Sequence, residues 1–79
     1  MKALVEGIVT SLVDYPDDVR VNETVGESII IIEISVNNDD IGKVIGKEGR
    51  IANAIRVVVK AASAKQDKKV TVEIVTEND

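Results

Sequence analysis

The chain contains no cysteine, histidine, tryptophan or phenylalanine. Without cysteine there is no disulfide framework and no thiolate metal site, and nothing points to an oxidising compartment. Without histidine as well, the usual general base, nucleophile and transition-metal ligand are missing. Only Asp, Glu, Lys, Ser, Thr and the single Tyr15 remain for catalysis. No catalytic site, metal or other cofactor is therefore expected. The one tyrosine stands beside the one proline, Pro16, so no aromatic platform for stacking is available. Long apolar runs are also missing: the longest, residues 29–32, falls far short of the roughly 20 residues a membrane helix needs. The N-terminus opens with Lys2 and apolar residues, superficially like a signal peptide, but Glu6 interrupts it and no long apolar core follows. The expectation is a cytoplasmic protein without membrane association. At 79 residues it reads as one domain, residues 1–79, near the lower limit at which a core stabilises a fold without staples.

What is present is unevenly distributed. The formal net charge is −4, which by itself argues against a nucleic-acid partner. Residues 1–40 hold two basic residues against nine acidic, a balance of −7, whereas residues 41–79 hold eight against five, a balance of +3. Between 41 and 69 only Glu48 and Asp67 oppose those eight cations. One end of the molecule can thus present a basic strip to a phosphate chain while the acidic remainder discourages adhesion elsewhere. For Lys65, Lys68 and Lys69 an ordinary solvated surface explains the charge equally well.

The patterning predicts six elements. In residues 2–14, Leu4, Ile8 and Leu12 form one stripe with Val5 and Val9 beside it, an amphipathic helix broken at Tyr15-Pro16. Val19, Val21 and Val25 alternate with polar residues in a strand. In a second strand Ile30, Ile32, Ile34 and Val36 line one face and Ile29, Ile31, Glu33 and Ser35 the other, with the N-terminal helix expected to cover the two outer isoleucines. Residues 37–40, Asn-Asn-Asp-Asp, form a turn in which Asp39 or Asp40 caps a short helix. These oxygens lack the alternating Asp spacing and the trailing Gly and Glu of a calcium loop. A long helix over about 50–64 buries Ile51, Ala54, Ile55, Val58, Val59 and Ala62, and Val70, Val72 and Ile74 alternate in a third strand. Residues 77–79 read as a frayed tail.

The most informative segment is residues 41–55, where Gly46 and Gly49 stand between an apolar run and the long helix. Gly46 can end a short helix with positive φ, and Gly49, lacking a Cβ, lets the next helix begin with its free N–H groups facing outward, an arrangement that favours an anion. Lys43, Lys47 and Arg50 surround the turn with positive charge, while Val44, Ile45 and Ile51 anchor its flanks. A nucleotide-hydrolysing P-loop does not fit: three residues, not four, separate Gly42 from Gly46, and Glu48 stands where Ser or Thr should hold magnesium.

The run Val-Ile-Gly-Lys-Glu-Gly-Arg-Ile, residues 44–51, resembles the signature of the KH domain, whose GxxG loop clamps about four nucleotides. The order helix, strand, strand, helix, helix, strand is similar to the bacterial type II KH fold: an α+β domain whose three-stranded sheet is packed on one side by three helices. With its length, acidity and Tyr-Pro turn, the chain resembles the stand-alone small KH proteins of bacteria, the KhpA (YlqC) family. That resemblance implies binding of single-stranded RNA through Lys43, Ile45, Gly46, Lys47, Glu48, Gly49 and Arg50, without an enzymatic step. It also implies a homodimer, a heterodimer with a larger KH-containing RNA-binding protein, or both, in post-transcriptional regulation linked to cell elongation and division. A KH-fold adaptor with little intrinsic RNA binding is the alternative, and single-stranded DNA remains open as a ligand because such a loop grips a backbone.

Overall fold

A computed structural model describes residues 1–75; the expected frayed end at residues 77–79 lies outside them. Helix α1 (Lys2–Thr10) leads through a 3-10 turn (Pro16–Asp18) to strands β1 (Arg20–Val25) and β2 (Ile29–Ser35). A second 3-10 turn (Asn38–Asp40), helix α2 (Ile41–Ile45), a tight loop (Lys47–Gly49), helix α3 (Arg50–Ala62) and strand β3 (Lys69–Val75) complete the order. This is the α+β, α-β-β-α-α-β arrangement expected from the pattern. Strand β2 is central: β1 pairs with it antiparallel, Val21 opposite Ile34, and β3 parallel, Val70 beside Ile30.

Alternation along β2 sets the architecture. Ile30, Ile32 and Ile34 are at most 2% exposed and join Val21, Val70 and Val72 in one cluster with Val5, Val9, Val44, Ile55 and Val59 of the three helices. Each such side chain stabilises the fold by about 1.5–3 kcal/mol on burial. A one-residue slip of β2 would turn Glu33 and Ser35 inward and forfeit several of these terms at once, so the register is strongly specified.

The structure corrects several expectations. Helix α1 stops at Thr10, short of residue 14, because the backbone N–H groups of Asp14 and Tyr15 donate to the Asp40 carboxylate at 3.1 and 3.0 Å rather than continuing a helical ladder. Its core side is Val5 and Val9, both fully buried, while Leu4 is 41% exposed. Strand β2's outer isoleucines are not covered by α1, which packs on the Ile30 face; Ile29 sits beside Lys69 and Ile31 between Thr24 and Thr71 on the open side of the sheet. At the hairpin end of β1, Val25 is exposed. Helix α3 ends at Ala62 and is rotated from the expected stripe: Ala52, Ile55 and Val59 are buried, Ile51 is half-buried, and Ala54, Val58 and Ala62 are exposed. Finally, neither aspartate caps α2 through its side chain; the Asn37 side chain instead accepts from the Asp39 N–H at 2.8 Å.

Candidate nucleic-acid interface

Helix α2 ends where the Gly46 N–H donates to the Gly42 carbonyl at 2.8 Å and the chain leaves helical space, with Gly46 at φ 77°, ψ 174°. Only glycine is comfortable there. Space imposes the same choice, since a Cβ on Gly46 would lie 2.7 Å from Ile51 Cγ1 and 2.9 Å from the Ile51 nitrogen. Gly49 is left-handed at φ 76° but has nothing within 4 Å of its would-be Cβ, so its identity answers to backbone conformation alone. Between them Lys47 and Glu48 are exposed at the tip, and Glu48 is also left-handed, φ 58°, ψ 25°. Helix α3 starts directly after Gly49, at Arg50, so the partly positive end of a 13-residue helix faces the loop.

The seven residues singled out from the sequence fall into three settings. Lys47, Glu48 and Arg50 are exposed, the Arg50 guanidinium lying 3.6 Å from the Glu48 carboxylate. Gly46, Gly49 and Ile45 are half-buried and hold the loop between its helices. Lys43, in the middle of α2, is engaged within the protein: its ammonium is 3.0 Å from Asp14 and 3.6 Å from Asp40. The hydrogen bond and charge of Asp14 raise the Lys43 pKa above its ordinary 10.5, and Asp40 adds to the effect.

Asp40 reads as a helix cap in the sequence, which misses its part in the fold. Its side chain is fully buried, and it ties the end of α1 to the start of α2 through the Asp14 and Tyr15 N–H groups and Lys43. Lys43 is only three positions on, but Asp14 and Tyr15 lie 26 and 25 positions back in the chain, so no local pattern signals them. A further hydrogen bond, from the Asn37 amide to the Asp18 carboxylate at 2.9 Å, ties the turn before α2 to the Pro16–Asp18 turn. The segment that presents the glycine loop is therefore anchored at its base.

Two further surfaces flank α3. An apolar groove of about 290 Å³ runs between α1 and α3, walled by Ile8, Leu12, Ile51, Ala54 and Val58 with Arg50 at one end. At the other end of α3, Lys60, Ser63, Gln66, Lys68 and Lys69 surround a hollow of about 280 Å³. Among the described residues no group of His, Cys, Asp or Glu side chains is arranged to hold a metal, and no helix is long and apolar enough to cross a membrane.

Comparison with known proteins agrees with this architecture. A model of the KhpA/KhpB KH domain matches residues 2–74. The chain is 64% identical over 75 residues to the RNA-binding protein KhpA of Clostridium perfringens, covering 95% of this chain and 100% of that one. It is 59% identical to the RNA-binding protein KhpA of Clostridium acetobutylicum, with the same coverage. Among solved structures it resembles Era, crystallised with MgGDPNP and nucleotides of 16S ribosomal RNA, at a TM-score of 0.59 and 18% identity. That likeness covers 96% of this chain and 30% of Era, and concerns the fold alone. The family is not one of enzymes. With a match that runs through every element of the fold, the chain belongs to the KhpA/KhpB family of KH-domain proteins.

Proposed function

We propose that the protein binds single-stranded RNA in the cytoplasm through the loop from Gly46 to Arg50. The observation that carries this reading is the forced geometry of Gly46, which turns Lys47 outward immediately before the N-terminus of α3. Phosphates are received by Lys47, Arg50 and backbone N–H groups at the start of α3, and base faces by aliphatic side chains such as Ile45. The relatives' name, RNA-binding protein KhpA, supports the same class of ligand.

Stacking on aromatic side chains is worth about 1–3 kcal/mol per base. Tyr15, the one aromatic, lies at the base of α2 against Asp40, so that contribution is missing from the loop. A single site then binds weakly and with modest sequence preference, and linking two sites raises affinity without new contacts. The proposed route is self-pairing or pairing with a larger KH-containing protein through α3, where Val57 and Val58 are 66% and 39% exposed.

Replacing Lys47 and Glu48 together by aspartate tests the site. The exposed tip tolerates the change, so the circular dichroism spectrum is expected to stay the same while titration with a short single-stranded RNA loses binding. A folded variant with undiminished affinity would remove the loop from the binding surface.

A further inference from the structure

Glu48 is a carboxylate at the tip of a loop read as a phosphate grip, and two independent observations mark it. Among the described non-glycine residues it alone has positive φ, 58°, a conformation that Gly or Asn adopts at less cost. No core contact compensates, since its side chain is 73% exposed. Its charged partner is Arg50, 3.6 Å away and itself 80% exposed. An exposed pair at that distance contributes little to stability. Its effect falls instead on whatever anion approaches Arg50.

We propose that Glu48 is a built-in competitor for the RNA phosphate: its carboxylate occupies Arg50 in the free protein, and RNA binds by displacing it. The proposal rests on the reading of the loop as the RNA site. The exchange favours a polymer over a lone anion. An isolated phosphate must outcompete a tethered carboxylate present at high effective concentration, and gains one guanidinium in return. A phosphate chain engages Lys47, which has no ion-pair partner among the described residues, and the start of α3 at the same time as Arg50. Displacing Glu48 costs the same whichever anion does it, so a lone phosphate with one guanidinium to gain is held weakly, while a strand that also engages Lys47 and the start of α3 has further contacts to offset the cost. The competition is electrostatic and exposed, so it fades as salt rises.

The test is a double-mutant cycle read by fluorescence anisotropy with a labelled single-stranded RNA, with circular dichroism as the folding control. Variants are Glu48→Gln, Glu48→Asp, Arg50→Gln, Lys47→Gln and the double Glu48→Gln/Arg50→Gln. Glu48→Gln keeps the backbone conformation and removes the charge; it is expected to tighten binding about two- to fivefold at low salt, the range of an exposed charge pair. Glu48→Asp keeps the charge and eases the left-handed backbone; it is expected to stay within about twofold of the parent. In the Arg50→Gln background the gain from Glu48→Gln is expected to vanish. The proposal is overturned by unchanged or weaker binding of Glu48→Gln, by equal tightening of Glu48→Asp, or by a gain that persists without Arg50. If those failures occur while Arg50→Gln and Lys47→Gln still weaken binding, the loop assignment stands and only the competitor is lost. If Arg50→Gln and Lys47→Gln are neutral too, the loop assignment itself fails.

Discussion

Gly46 and Gly49 are held to glycine by different constraints. An alanine at Gly46 meets both a glycine-only backbone region and Ile51 at 2.7 Å, whereas at Gly49 it meets open space and a left-handed backbone. Gly46→Ala is therefore expected to lower stability by about 2–4 kcal/mol, strain plus overpacking, and Gly49→Ala by about 1–2 kcal/mol. Urea unfolding of the two variants measures the difference; equal losses would mean that the Ile51 contact relaxes freely. The glycine pair and the cations around it were legible because the signal is local: four consecutive positions with fixed chemistry. Asp40 was not. As one of two adjacent aspartates before a short helix it reads as a cap, and only the folded chain brings Asp14 and Tyr15 to its carboxylate. The same contact hides a feature of Lys43, whose ammonium reads as free in the sequence but is held by Asp14 at 3.0 Å.

Helix α3 shows why the existence of an element is easier to read than its rotation. Residues 51, 54 and 58 form one apolar stripe and residues 52, 55 and 59 another beside it. A helix whose apolar arc is this wide satisfies the 3.6 period in more than one orientation. Packing decides, burying Ala52, Ile55 and Val59 against the sheet and leaving Ile51, Ala54 and Val58 to the groove beside α1. In α1 the same ambiguity is resolved in favour of Val5 and Val9 over Leu4. Strand β2 leaves no such freedom, because its period of two offers one inward set, Ile30, Ile32 and Ile34. The surplus apolar surface of α3 has a consequence for assembly. Val57→Asp places a charge at a position 66% exposed, so the monomer fold should be kept within about 0.5 kcal/mol. Light scattering across a concentration series is expected to show mass rising toward a dimer for the parent protein and a constant monomer mass for the variant. A parent that stays monomeric at all concentrations while binding RNA tightly would contradict pairing.

Across the whole molecule, the acidic first half and the basic strip between 41 and 69 are brought into one small body with a Cα radius of gyration of 12.2 Å. If Lys47, Arg50 and one or two of the cations along α3 each neutralise a phosphate, the slope of log K against log salt is expected near −2 to −3, at roughly 0.7 per contact on single strands. Titrations at several salt concentrations give this slope, and a value near zero would mean that the basic strip faces away from the ligand. The parallel pairing of β2 with β3 adds a constraint of another kind, on the order of events. The β1–β2 hairpin closes locally, with the Gly26 N–H donating to the Ile29 carbonyl at 2.7 Å. Strand β3 can join only after the chain has passed through α2, the glycine loop and α3, and closing so long a connection costs entropy before any pairing offsets it. The Gly46–Gly49 loop lies inside that crossover. On the proposed reading of that loop, a chain emerging from the ribosome acquires its hold on RNA late, once β3 has been made and docked.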